Sequence, residues 1–150
     1  MNKPAGGKVL YPELSYAITA IAYEVHNQLG PGFSEDIYQN AIVCESEAHH
    51  IPHEQQKSIQ VTYKGRVLGN YRLDLVIGGS VILEPKAVPA LSDLHEQQLL
   101  SYLKAANLRL GILINFGGRR VAYDRIVNQR SKREWHESTN RANEEQKKDT

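Results

Sequence analysis

From Leu14 onward the apolar positions fall at Leu14, Ala17, Ile18, Ile21, Ala22, Val25 and Leu29. These steps of three and four mark one face of a helix. Gly30-Pro31-Gly32 ends it, because glycine accepts a left-handed cap and proline cannot continue the hydrogen-bond ladder. Ser34 then offers an N-cap, with Glu35 and Asp36 in a first turn where the helix dipole favours negative charge. A second helix is predicted to run to about His49 and to bury Ile37, Ala41, Cys44 and Ala48, with Pro52 closing it.

The period changes in the middle of the chain. Ile59, Val61 and Tyr63 alternate with polar residues, and Lys64-Gly65 supplies a turn, which reads as a hairpin. The returning strand, Val67 to Ile77, sets Tyr71, Leu73, Leu75 and Ile77 on one face and Arg72, Asp74 and Val76 on the other. After Gly78-Gly79-Ser80, a third strand from Val81 to about Ala87 places Glu84 and Lys86 on one face. Ser92 or Asp93 caps a third helix that carries Leu94, Leu99, Leu100, Tyr102 and Leu103 and ends near Ala106. Leu110 to Phe116 is almost unbroken apolar sequence, as a strand covered on both faces requires. Gly117-Gly118 turns the chain, and Val121 to Val127 can add a last strand.

This order predicts a mixed α/β (α+β) fold, a sheet that is largely an antiparallel meander with helices packed on it. Residues 1–12 read as a flexible lead-in and 13–128 as one domain. Residues 129–150 read as a polar tail, helical or disordered, whose large apolar residue is Trp135.

A chain of 150 residues, 41% hydrophobic and 23% charged, fits one soluble domain with a real core. No apolar run approaches the ~18 residues of a membrane helix, and the N-terminus lacks the apolar stretch of a secretory leader. The single cysteine, Cys44, excludes an internal disulfide and a cysteine-built zinc site. A reduced, cytoplasmic protein with no membrane partner is expected. Eighteen Lys and Arg against seventeen Asp and Glu give a net charge of +1. That argues against a protein that coats nucleic acid by bulk charge, though not against a local basic cleft beside acidic residues.

The candidate chemistry is Asp74, nine residues, then Glu84-Pro85-Lys86. Adjacent strands joined by a tight turn can set Asp74 beside Glu84, and two close carboxylates repel until a divalent cation intervenes. Hard oxygen donors select Mg²⁺ or Mn²⁺ over zinc. Lys86, one pleat along, can hold an attacking water or offset charge on a phosphate. Solvent-facing Asp, Glu and Lys are common on strands, so this spacing alone leaves a plain surface reading about equally open. Glu35 stands three residues before Tyr38, and Gln98 one helical turn before Tyr102, so each pair can share a side, although singly Glu35 reads as a helix-start charge and Gln98 with Tyr102 as an ordinary interfacial pair. Arg72 on the Asp74 strand, and Arg119 and Arg120 after the Gly-Gly turn, are the candidate phosphate contacts.

Several ordered motifs together resemble the GxxExxY family of the PD-(D/E)XK nuclease-like superfamily, over about residues 13 to 128. They are Gly32-x-x-Glu35-x-x-Tyr38, Tyr71-Arg72-Leu73-Asp74-Leu75, Glu84-Pro85-Lys86-Ala87-Val88, His95-Glu96-x-Gln98-Leu99-Leu100-x-Tyr102-Leu103 and Gly111-Ile112-Leu113-Ile114-Asn115-Phe116. The resemblance implies a restriction-endonuclease-like core of helix, three-stranded meander, helix and strand. It implies metal binding by Glu35, Asp74 and Glu84, with Lys86 as the motif lysine. Gln98 and Tyr102 would match the Gln-x-x-x-Tyr element of the RecB-like branch. The implied activity is Mg²⁺- or Mn²⁺-dependent hydrolysis of a nucleic acid, DNA by expectation, leaving a 3′-hydroxyl and a 5′-phosphate. Family members usually carry leucine where Pro85 stands. Its position after Glu84 holds that residue extended, as a strand requires, but proline is disfavoured in a central strand, and a kink there would misaim Lys86. This feeds a second reading, a nuclease fold that no longer cuts and serves as a binding or assembly module. A homodimer built on the first helices is a further expectation.

Overall fold

The first apolar run becomes helix α1 (Pro12–Leu29). Pro12 sits in its first turn, where a missing N–H leaves no bond unmade. Gly30 at φ 67° closes it and donates its N–H to the His26 carbonyl. In the computed structural model residues 10–129 are described. Most of the predicted lead-in, and the predicted tail with Trp135 apart from Gln129 that begins it, lie outside the described residues.

Helix α2 (Glu35–Ala48) follows, then β1 (His53–Tyr63), β2 (Arg66–Ile77), β3 (Val81–Lys86), α3 (Asp93–Ala106), β4 (Leu110–Asn115) and β5 (Ala122–Val127). The five strands form one sheet in sequence order. Neighbours are antiparallel except β3 and β4, which run parallel because α3 carries the chain back between them. The fold is therefore mixed α/β, a mixed five-stranded sheet flanked by helices, as predicted. Among the described residues no helix is long and apolar enough to cross a membrane.

Two cores lie on the two faces of the sheet. Ile18, Ile21, Ala22 and Val25 of α1 and Tyr38 and Ile42 of α2 meet Leu75, Ile77, Leu83, Ile112 and Ile114 on one face. Leu99 and Leu103 of α3 meet Val76, Ile82 and Leu113 on the other. Interior strand β4, paired on both sides, is buried along its whole length, which explains its continuous apolar sequence. Gly111 lets α3 approach closely, since a Cβ there would stand 2.8 Å from Leu99 carbons.

Three sequence expectations are corrected. Helix α2 buries Tyr38, Gln39, Ile42 and Ser46, whereas Ile37, Cys44 and Ala48 are exposed and Ala41 is half-buried. The buried polar members are satisfied internally: Ser46 Oγ donates to the Ile42 carbonyl and Gln39 Nε2 to the Asp74 carbonyl. A hydrophobicity pattern cannot anticipate that. Ser34 occupies the N-cap of α2, but its hydroxyl donates to Asp36 instead of accepting a helix N–H. Ser92, by contrast, forms a reciprocal capping box with His95.

The third correction concerns β2. Strict alternation would put Leu73 with Leu75 and Ile77, yet Leu73 packs with Val76 and Leu99 in the α3-side core. The β1–β2 ladder is interrupted between the pairs Gln55↔Leu75 and Lys57↔Leu73, where Gln56 takes φ 53°. The phase of β2 slips there. Tyr71 and Leu73 turn toward α3, and Arg72 consequently falls on the opposite face instead of alongside Asp74.

Candidate active site

The candidate site lies where β2 and β3 part. These strands pair only through Leu75↔Leu83, Val76↔Ile82 and Ile77↔Val81. The next residues in register are Asp74 and Glu84, which flank the opening split. Gln39 from α2 holds the Asp74 carbonyl at 3.1 Å, and the Gln56 side chain hydrogen-bonds the Asp74 carboxylate. Gln56 has positive φ at a non-glycine residue, local strain maintained beside the site.

Glu84 is 3% exposed, and Lys86 Nζ lies 3.7 Å from its Oε2. Burial pushes the Glu84 carboxyl up to about 7, opposed by the Lys86 charge and reinforced by Asp74 and Glu35. Asp74 is raised in the same direction, again by burial first, with Lys86 lowering and Glu35 raising it. The three carboxylates thus act on one another through a shared field, with one ammonium among them. Burial lifts Tyr102 above its ordinary value, and Glu84, Tyr71 and Asp74 add to it, which puts this α3 phenol at the same pocket.

Glu35 stands exposed at the first turn of α2. Its approach is fixed by Tyr38, whose hydroxyl donates to the Gly30 carbonyl and accepts the Phe33 N–H. The Tyr38 ring is fully buried and stacked on Phe116 at 4.5 Å. The tyrosine of the Gly-x-x-Glu-x-x-Tyr motif is therefore a structural clamp on the loop that presents Glu35.

Pro85 does not bend β3. The strand stays in register with β4 through Glu84↔Leu113, Pro85↔Ile114 and Lys86↔Asn115, and Phe116 N–H donates to the Lys86 carbonyl at 2.8 Å. If the Lys86 backbone faces β4, alternation turns the Pro85 backbone the other way, into the split where β2 has stopped pairing. The missing N–H thus falls on a locally open edge, where proline is tolerated. The Pro85 carbonyl faces the same opening as the carboxylates.

Gln98 lies one turn before Tyr102 on α3 and is exposed. Arg119 and Arg120 are exposed on the β4–β5 turn, at the sheet end where Lys86 emerges. Arg72 is exposed on the face of β2 turned away from α3. Asp74, Glu84, Lys86, Tyr102 and the field of Glu35 come together, while Arg72 lies on the other face of β2 and Arg119 and Arg120 share the β4–β5 turn. Sequence reasoning missed Gln39, Gln56 and Asn115. Asn115 binds both the N–H and the carbonyl of Val88 and accepts the Gly117 N–H, so it ties the β3 exit to the β4–β5 turn. Asn115 stood inside a quoted motif, but amides carry no periodic signal that reveals such a role.

Among the described residues no three His, Cys, Asp or Glu side chains form a ready metal cage. The donors at the split are two carboxylates, both destabilised as anions by burial and mutual repulsion, and a backbone carbonyl. That hard-oxygen set fits a divalent cation, which would relieve both penalties.

The family model described as PD-(D/E)XK nuclease superfamily matches residues 12–126. The chain belongs to the PD-(D/E)XK nuclease superfamily, a class of nuclease-like proteins that generally use divalent metal ions. Among solved structures it is similar to the crystal structure of SSO0001, with 22% identity and a TM-score of 0.51. That match covers 64% of this chain and 52% of the other, so the likeness is one of fold over about half of SSO0001. Comparison with curated proteins gives no significant match.

Proposed function

We propose that this protein is a Mg²⁺- or Mn²⁺-dependent nuclease that hydrolyses DNA phosphodiester bonds, of the GxxExxY type and the RecB-like branch of its superfamily. The observation that carries the reading is the buried Glu84 carboxyl, pushed up to about 7, between Asp74 and Lys86 at the parting of β2 and β3. A buried acid of this kind is a poor structural element and a good cation ligand.

Asp74, Glu84 and the Pro85 carbonyl would hold the cation, with Glu35 contributing charge from α2. When bound, the cation would polarise the phosphate and make water more acidic. The protein's own groups do the rest. Lys86 supplies positive charge for the non-bridging oxygens as the pentavalent transition state forms, and orients the attacking water. Water adds to phosphorus and releases a proton to solvent, the P–O3′ bond breaks, and the products are a 5′-phosphate and a 3′-hydroxyl that takes its proton from solvent. Tyr102 and Gln98, one turn apart on α3, position the scissile strand. Arg119 and Arg120 meet flanking phosphates.

The reading as an inactive module rests on Pro85 and on the near-zero net charge, and the unbroken β3–β4 register removes the first of these supports. A nuclease assay with labelled single- and double-stranded DNA in Mg²⁺ or Mn²⁺ tests the proposal. Cleavage is expected to disappear in EDTA and to fall by at least about 10²-fold in Asp74→Ala and Lys86→Ala. Equal cleavage by the parent chain and Asp74→Ala would overturn it.

A further inference from the structure

Strands β1 and β2 continue well beyond the sheet. They pair from His53↔Ile77 to Tyr63↔Arg66, whereas β2 meets β3 over three pairs only. From Lys57 and Leu73 outward the hairpin runs on with no third strand. Residues 55–73 hold Lys57, Lys64, Arg66 and Arg72 and no carboxylate, although the whole chain is only +1. This outer segment therefore carries +4 and the remainder of the chain −3, while the whole hairpin, with Glu54 and Asp74 at its base and Lys57 3.6 Å from Glu54, carries +2. Positive charge is concentrated on this one projecting element.

The hairpin is also aromatic on one side. Ile59 faces the α3-side core, so alternation and pairing put Val61, Tyr63, Arg66, Gly69 and Tyr71 on that same face. Tyr71 is 50% exposed, with its ring 5.2 Å from that of Tyr102. Tyr63 is 59% exposed, and Lys64 Nζ lies 5.4 Å from its ring centre. Between them stands Gly69, where a Cβ would meet nothing within 4 Å, leaving the strand surface open. Tyr63 lies four residues along β1 from the partner of Tyr71, roughly 13 Å. Exposed aromatic faces at that spacing, on a cationic ribbon that begins at the candidate carboxylates, match the way single strands are held. Bases stack on rings while cations follow the phosphates.

We propose that the β1–β2 hairpin is an arm for an unpaired polynucleotide strand, stacking one base on Tyr71 beside the carboxylates and another on Tyr63, with Lys64 and Arg66 on the phosphates. The inference deepens the nuclease reading and rests on it for the direction of the strand into the site. A duplex hides the faces of its bases, so the arm gives it phosphate contacts alone.

The test is fluorescence anisotropy in EDTA, with labelled oligo(dT), oligo(U) and a blunt duplex of equal length. Tyr71→Ala is expected to weaken oligo(dT) binding by at least about fivefold, with Tyr71→Trp restoring it and duplex binding unmoved. Lys64→Ala with Arg66→Ala is expected to lower the slope of log affinity against log salt by about one. A matched loss for oligo(U) shows that the arm reads stacking and charge, not the sugar. Half-exposed Tyr71 is not a core residue, and an unchanged melting temperature in Tyr71→Ala separates lost stacking from lost fold. Parent-level oligo(dT) affinity in Tyr71→Ala and Tyr63→Ala, or no binding by the parent chain, overturns the proposal. So does a change of solution mass in the hairpin variants with binding unaltered, which makes the hairpin a self-association surface. Tyr71-dependent binding without cleavage leaves the arm standing and removes the nuclease. Cleavage with KM and affinity indifferent to Tyr71 does the reverse.

Discussion

Glu84 is held at 3% exposure with one lysine at 3.7 Å and a second carboxylate in the adjacent strand, so the folded state penalises its charge. Its folded value of about 7 lies above the ordinary 4.5, so the protonated form is the one folding favours. The stabilisation is fully present below pH 4.5 and is lost as pH rises through about 7. Glu84→Gln removes the titration. The variant is expected to match the parent in melting temperature below pH 4.5 and to exceed it at pH 8. The gap should be up to about 3 kcal/mol, the attraction to Lys86 being already contained in the value of about 7. Thermal melts across pH check this, and a parent that outlasts the variant at pH 8 refutes it. At this scale the charged trio was readable, because period two alone sets Glu84 and Lys86 on one face. Gln39 and Gln56 were not, since an amide declares its role only through the partner it reaches.

At the scale of elements, the sequence located every helix and strand among the described residues, while the structure reset two faces and one strand start. Strand β1 begins at His53, six residues before its alternation becomes visible, because an edge strand can expose a polar run such as Glu54 to Ser58. Helix α2 turned a different face inward, since Tyr38, Gln39 and Ser46 carry bonds that repay their burial. The proline in β3 is the clearest case. Its sequence context leaves a bend open, but β2 stops pairing before Pro85, and the ring meets no broken ladder. Pro85→Leu is therefore expected to change unfolding free energy by less than about 1 kcal/mol and to leave cleavage within a few-fold of the parent. Urea titration with the nuclease assay measures both. A large rise in cleavage would show that proline does misaim Lys86.

At the scale of the whole molecule, α1 and α2 on one side and α3 on the other clamp a sheet whose middle is split at its acidic point. A cation held there would offset the repulsion between the carboxylates and would therefore favour the folded state. Addition of Mg²⁺ or Mn²⁺ at pH 8 is expected to raise the parent's unfolding free energy by about 2–3 kcal/mol near a hundredfold excess over Kd. Calorimetric melts should show little of that rise for Asp74→Ala, or for the parent at pH 5, where Glu84 is protonated. A rise of equal size in all three samples would place the cation elsewhere.

Hydrophobic period and turn residues together determined the order of elements, the mixed fold and the strands that bear Asp74, Glu84 and Lys86, because side-chain direction and turn geometry are local properties of the backbone. Tertiary structure decided the rest. It set the slip at Gln56 that turns Tyr71 toward α3, and the early parting of β2 from β3 that shelters Pro85. It also produced the burial that lifts Glu84. Each depends on which surfaces meet across the sheet, and contacts between residues distant in the chain leave no trace in local periodicity.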